Sequence, residues 1–398
     1  MTTARGAAVT PGADHRVVVV GGGIGGGRTC AALRSEGFTG QITLVSAEEH
    51  DPYDRPPLSK AYLTDSADPG LGIDLDDLGV CVLRGARATG LDRDTRTVVT
   101  TDGDLTYDTL VLATGSAPVR LPGDGEQLTL RTREDCDKLR AALRRGARIV
   151  IVGAGWIGAE VATAAIGLGC SVICVEASDG PHAGPFGPAV AQRLAAMWEG
   201  VDLRTRTGVA AIENAGVRLT DGTVLPAEAV VVGVGARADL DWLADAGLEV
   251  NRQGVCVDAD RRTSDPRIYA VGDIASRWSD RLSQRVHTGH WDEATTGAAV
   301  VAGSIMQNRE GSDDVPYFWS DQFGCKIQYV GQHRQDDRLV VREHPTTDRW
   351  GAVWIDSTNR VTAHLSVGFP RAMVQARTAI TDGREADMEA LTDLTARL

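Results

Sequence analysis

The chain has 398 residues, 42% hydrophobic and 24% charged, which suits two or three ordinary packed domains. Its formal charge of −13 excludes a general nucleic-acid binder, because that role needs a basic footprint. No run of 18 apolar residues is present to span a membrane. The seven cysteines form no CxxC pair, which argues against a secreted disulfide framework and against a metal site. A cytoplasmic protein, engaging neither nucleic acid nor membrane, is the expectation.

Residues 1–15 are small, polar and Gly/Pro-containing, and read as a disordered tail. Val17-Val18-Val19-Val20 then enters Gly21-Gly22-Gly23-Ile24-Gly25-Gly26. A β-branched run ending in GxGxxG predicts the buried strand, tight turn and helix of a dinucleotide-binding βαβ unit. Gly21 serves the turn, Gly23 lets a pyrophosphate approach the backbone, and Gly26 lets helix pack close to strand. The helix N-terminus offers free N–H groups to the phosphates. The next strand, Gln41–Val45, leads to Ser46-Ala47-Glu48-Glu49, where Glu48 is the candidate acid for an adenosine ribose. The stretch Val82–Thr101 reads as a β-hairpin, with a turn signal at Asp102-Gly103. Thr109–Leu112 runs into the small-residue turn Ala113-Thr114-Gly115.

The same pattern recurs further along. Ile149-Val150-Ile151-Val152 enters Gly153-Ala154-Gly155-Trp156-Ile157-Gly158, and the following strand ends on Glu176, at the spacing of a ribose-binding acid. A lone glycine fingerprint is weak evidence, but two with matching context predict two dinucleotides, a flavin and a nicotinamide. Val201–Val224 reads as another hairpin, turning at Asp221-Gly222. Ala229–Val232 runs into Gly233-Val234-Gly235, and Ile268-Tyr269-Ala270-Val271 ends in Gly272-Asp273. The tail from Pro316 to Ile380 carries several short strands and a last helical piece, without a nucleotide fingerprint.

With these motifs in place, the chain resembles flavin-dependent pyridine-nucleotide oxidoreductases, and more narrowly the ferredoxin reductases of oxygenase systems (the putidaredoxin reductase and rubredoxin reductase type). Besides the fingerprints, the resemblance rests on Pro52-Tyr53-Asp54-Arg55-Pro56-Pro57-Leu58-Ser59-Lys60, Ala113-Thr114-Gly115, Leu130-Arg131-Thr132, Gly233-Val234-Gly235-Ala236-Arg237, Tyr269-Ala270-Val271-Gly272-Asp273 and Phe318-Trp319-Ser320-Asp321-Gln322. It implies an α/β fold with two Rossmann-like dinucleotide-binding domains and a small α+β C-terminal domain. An FAD domain (16–116 and 250–316) would be split by an inserted NAD domain (117–249), with 317–398 forming the C-terminal reductase domain.

The resemblance also implies residue roles. FAD would lie over Gly21, Gly23, Ile24, Gly25 and Gly26, with Ala113, Thr114 and Gly115 approaching by backbone and Arg55 running along the flavin. Asp273, after Gly272, would accept a hydrogen bond from a ribityl hydroxyl. Trp319 is expected against the flavin ring, and Trp291 near its pyrimidine edge or the nicotinamide pocket. Arg131 and Gly235 join the expected cofactor-binding residues. NADH would sit over Gly153, Gly155, Ile157 and Gly158, with Glu176 on the ribose 2′-hydroxyl. A carboxylate there repels a 2′-phosphate, so NADH is expected over NADPH.

Lysine occurs only at 60, 138 and 326, so the rest of the 41 basic residues are arginines. Against that background, Lys60 inside the Pro52–Lys60 motif suggests that a compact ammonium is needed there. The family pairs it with the acid of the second fingerprint helix, here Glu160, beside flavin N5. Lys60 and Glu160 are therefore the expected catalytic pair. The chain also departs from the family pattern. It reads Val286-His287-Thr288-Gly289-His290-Trp291 where relatives read Val-Glu-His-Trp, and Pro181-His182-Ala183-Gly184-Pro185 lacks an arginine common near the adenosine end.

Neither fingerprint helix carries a redox-active dithiol, so electrons should leave from the flavin itself. The implied function is hydride transfer from NADH to FAD, then single-electron transfer to a ferredoxin-type iron–sulfur protein feeding an oxygenase or P450. Basic stretches such as Arg140 to Arg148 and Arg334–Arg342 are candidate docking surfaces. A same-fold enzyme with a small-molecule acceptor, and a redox-sensing flavoprotein of the apoptosis-inducing-factor kind, remain as alternatives, and the chain is expected as a monomer or homodimer.

Overall fold

The computed structural model describes residues 11–308, 311 and 313–398. Positions 1–10 of the expected tail lie outside the described residues. The chain divides into two compact units, one of Met1–Arg55, Pro69–Ala117 and Arg237–Asp314, the other of Pro56–Asp68, Pro118–Ala236 and Val315–Leu398.

At the centre of the first unit is a five-stranded parallel sheet. Its spatial order is Ile268–Ala270, Thr109–Leu112, Arg16–Val20, Gln41–Val45 and Val80–Leu83. The valine run needs no polar alternation because both faces of its strand are covered. Val17 and Val19 pack with residues of two helices, Ile24–Ser35 and Trp291–Met306. Val18 and Val20 face a second apolar layer that includes Leu91, Val98, Val255 and Val257. Ala88–Asp92, Thr97–Thr100 and Gly103–Thr106 form an antiparallel ribbon in that layer.

The second unit repeats the scheme. Four parallel strands run in the order Val201–Arg204, Ser171–Val175, Arg148–Val152 and Ala229–Val232. An antiparallel meander follows through Val209–Glu213, Gly216–Leu219 and Val224–Pro226. The C-terminal portion is a five-stranded antiparallel sheet ordered Tyr317–Gln322, Cys325–Gly331, Val361–Val367, Trp350–Ile355 and Arg338–Glu343. One face packs Val330, Val353 and Ile355 against Ala376, Ala379 and Ile380 of the helix Pro370–Asp382. The other packs Tyr329, Trp354 and Leu365 with Phe186, Val190 and Leu194.

Both expected hairpins need correction. Val80–Leu83 and Val201–Arg204 are edge strands of the two parallel sheets, and each ribbon begins further on and has three strands. An edge strand keeps one side towards solvent, so its residue pattern is that of a ribbon strand. No described helix is long and apolar enough to cross a membrane.

Candidate active site

The first glycine cradle is shaped by steric exclusion. Gly21 has φ 120°, and a Cβ there would stand 2.2 Å from Ala113 O, so only glycine fits the turn. Gly26 packs equally close, its Cβ position 2.0 Å from Gly21 O. Gly23 differs: the nearest atom to its Cβ position is Arg55 Nη2 at 3.7 Å, so the cradle stays open there, with a guanidinium at its rim. Arg55 Nη2 donates to Glu48 Oε1 at 2.7 Å, and the Tyr53 hydroxyl donates to Glu48 Oε2 at 2.5 Å. Burial works against the Arg55 charge, but Glu48 and Tyr53 outweigh it, and its pKa is raised. Thr114 Oγ1, behind Gly21, is buried without a hydrogen-bond partner. Gly115 and Gly272 take φ 73° and 74°, again in the left-handed region. Asp273 Oδ2 accepts from Ser116 Oγ at 2.9 Å, and Trp291 Nε1 donates to Asp54 Oδ1 at 2.8 Å.

The second cradle has the same backbone and different electrostatics. Gly153 takes φ 99°, with its Cβ position 2.6 Å from Gly233 O, and Gly158 packs against Gly153 O. Gly155 and Gly235 face open space, with nothing nearer to their Cβ positions than 3.8 Å. Glu176 Oε2 accepts the Ala154 N–H at 2.8 Å, and Oε1 accepts the Ser178 N–H and hydroxyl at 2.8 and 2.7 Å. Where Glu48 holds a guanidinium, Glu176 holds N–H and O–H dipoles. Ile157 is 39% exposed at the start of its helix.

In this same second unit, Lys60 and Glu160 come together from sequence positions a hundred residues apart. Glu160 lies on the helix Trp156–Gly167 and is 5% exposed. Its Oε2 accepts Lys60 Nζ at 2.6 Å and the Ser59 hydroxyl; its Oε1 accepts Ser320 Oγ at 2.6 Å and the Asp321 N–H at 3.3 Å. A buried carboxylate is thereby fully partnered, as its burial requires. The Lys60 turn is fixed in turn by the helix Arg133–Ala142. Cys136 Sγ lies 3.1 Å from Leu58 O, and Arg140 donates to the carbonyls of Tyr62 and Leu63. Arg131 precedes that helix, its N–H donating to the Asp135 carboxylate of a Thr132 capping box. Trp319 adjoins Ser320 on its strand and stacks with Tyr317 at a ring distance of 6.1 Å.

Sequence reasoning passed over Ser59, Ser320, Ser116 and Ser178, which complete these sites. The first two stand beside Lys60 and Trp319 inside motifs already singled out, and that adjacency was their signal. Arg342 drops out of the candidate docking stretch: it is fully buried and donates to the carbonyls of Leu391, Asp393 and Ala396.

The donor set fits two dinucleotides. Each cradle has an opening at its middle glycine and a carboxylate beside it, and the first adds a guanidinium and the buried, unpartnered Thr114 hydroxyl. Thiol relay chemistry does not fit. The seven cysteines are free, and Cys30 in the first fingerprint helix is fully buried, its thiol pushed up to about 12 by burial. Among the described residues, no group of three or more His, Cys, Asp and Glu could hold a metal ion.

Comparison with known proteins agrees with this geometry. The pyridine nucleotide-disulphide oxidoreductase family model matches residues 15–298, and the reductase C-terminal model matches 317–398. The chain is 35% identical to the probable ferredoxin reductase CtmF of Castellaniella defragrans, over 96% of this chain and 97% of that protein. It is 34% identical to the p-cumate 2,3-dioxygenase system ferredoxin–NAD(+) reductase component of Pseudomonas putida, over 96% of each. Among solved structures, Fdr9 superposes with a TM-score of 0.94 at 49% identity, covering 96% of this chain and 99% of that one. Putidaredoxin reductase in its covalent complex with putidaredoxin gives 0.90 at 31% identity, covering 96% of each chain.

Proposed function

This chain belongs to the pyridine nucleotide-disulphide oxidoreductase family, and from that premise we propose that it is a ferredoxin–NAD(+) reductase. It takes a hydride from NADH onto FAD and passes single electrons to a ferredoxin-type iron–sulfur protein that serves an oxygenase or P450. The observation that carries the proposal is the charge arrangement of the two cradles, each open at its middle glycine and backed by a carboxylate, in a chain without a thiol pair to relay electrons.

FAD, when bound, supplies the conversion from two-electron to one-electron transfer that a nicotinamide does not perform. In this reading Gly23 leaves room for its pyrophosphate, Gly21, Ile24, Gly25 and Gly26 shape the turn and helix start beneath it, and Arg55 sets a positive charge at the rim of that space. Glu48, held by Tyr53 and Arg55, keeps lone pairs for ribose hydroxyls. Asp273, held by Ser116, accepts from the ribityl chain. Glu176 takes the adenosine ribose of NADH, and its negative charge disfavours a 2′-phosphate. Lys60 supplies a compact positive charge that favours the added electron density of reduction, and Glu160 keeps its ammonium in one place. Trp291 and Trp319 supply aromatic surface for the flavin. The three-domain division and a cytoplasmic setting belong to the same proposal.

The test is anaerobic stopped-flow reduction by NADH, followed by mixing with a panel of ferredoxin-type proteins. The proposal expects rapid bleaching of the flavin band by NADH and rapid reoxidation by at least one of them, slowing as salt rises. Reoxidation by a quinone or another small molecule, with every iron–sulfur protein inert, would overturn it.

A further inference from the structure

The segment His287-Thr288-Gly289-His290 joins the strand Gln284–Val286 to the helix that starts at Trp291. Gly289 takes φ 59°, a left-handed turn that suits glycine. The helix end of the segment is pinned by the bond from Trp291 Nε1 to Asp54. At its strand end, His287 Nε2 lies 2.9 Å from the backbone oxygen of Asp273. A carbonyl oxygen only accepts, so Nε2 carries the proton, whether the ring is neutral or cationic.

Asp273 belongs to a short 3-10 turn, Gly272–Ile274, entered through a left-handed glycine. So short a turn has almost no hydrogen-bond ladder of its own, and its orientation is set by what grips it from outside. Two side chains do so at opposite ends of one residue: Ser116 holds the Asp273 carboxylate, and His287 holds its carbonyl. We infer that His287 is a positioning residue for Asp273, aiming its carboxylate at the ribityl chain of FAD. The inference rests on the reading of Asp273 as an FAD-binding residue. It gives the 287–290 segment a task in this chain, since a ring nitrogen at 287 secures the turn that presents Asp273.

The test follows release of FAD from the holoenzyme by the rise of free-flavin fluorescence on dilution, with the visible circular dichroism of the bound flavin as a second readout. His287→Phe keeps the ring and removes the donor; His287→Gln restores an N–H at similar reach. The expected result is release about five-fold faster from His287→Phe and a changed flavin dichroism, with His287→Gln within about two-fold of wild type on both readouts. Wild-type release from His287→Phe, while Asp273→Ala releases FAD faster, overturns the inference and leaves the reading of Asp273 standing. A His287→Gln enzyme no better than His287→Phe also overturns it, because the ring and not the bond would then matter. Wild-type release from Asp273→Ala overturns both.

Discussion

The two units hold some of their inward-facing charges differently. In the first, three arginines meet carboxylates: Arg55 on Glu48, the fully buried Arg261 3.0 Å from Glu293, and Arg277 2.5 Å from Asp313. In the second, Glu176 and Arg342 are answered by dipoles. Glu176 takes backbone N–H and a serine hydroxyl, and Arg342 takes three carbonyls. His364 is fully buried, and neither ring nitrogen has a hydrogen-bond partner among the described atoms. Lys60 with Glu160 departs from this, an ion pair whose carboxylate side chain is 5% exposed. Two similar glycine motifs therefore differ in electrostatics: the first carboxylate meets a guanidinium, the second meets N–H and O–H dipoles.

The largest effect is expected at the Lys60–Glu160 pair. Lys60→Ala removes the cation from a carboxylate that is 5% exposed. Flavin reduction by NADH should slow about 100-fold in stopped flow while the flavin content per chain stays at wild type. An unchanged rate in a flavin-replete variant would reduce the pair to a structural one.

His364 tests the second unit's interior. Burial, reinforced by Arg342, pulls its pKa down from 6.5 to about 3. Its folded value lies below its unfolded one, so between those values the unfolded chain binds a proton that the folded chain refuses. Stability is therefore lost as pH falls from about 6.5 towards 3. Going from pH 7 to 5 should cost about 2 kcal/mol through this residue. Denaturant midpoints at the two pH values should draw closer in His364→Phe; an equal gap in both proteins would show that His364 is not the titrating group.

Glu176→Gln sharpens the contrast between the cradles by removing the negative charge while keeping an acceptor. The ratio of kcat/KM for NADH over NADPH should drop about ten-fold. If the ratio holds, selectivity lies elsewhere in the second unit. Arg55→Lys is the gentlest change: the charge opposite Glu48 remains and the planar fork is lost. FAD release should quicken about three-fold, and a loss as large as that in Arg55→Gln would mean that geometry, not charge, holds the first cofactor.

Much of the site was legible before any coordinates. Both strand–glycine–helix units, the acid after each, and the singularity of Lys60 in a lysine-poor chain follow from residue types at short spacing. Such features concern neighbours along the chain, where steric rules forbid alternatives: a Cβ at Gly26 would stand 2.0 Å from Gly21 O, five residues back. The edge strands Val80–Leu83 and Val201–Arg204 were misread because pairing direction is decided by a distant partner, while exposure pattern is all that a segment displays. The burial of Arg342 was hidden for the same reason, since its three carbonyl partners belong to the last eight residues of the chain.

By itself, then, the sequence determined the local elements: two strand–glycine–helix turns, a carboxylate after each, one singular lysine. Only the tertiary structure decided their electrostatic character. It set Arg55 against Glu48, left Glu176 to N–H and O–H dipoles, and gathered Ser59, Lys60 and Ser320 around Glu160. The physical reason is range. Backbone sterics act over a few residues and can be read locally, whereas the fate of a buried charge depends on which groups the folded chain brings within about 3 Å of it.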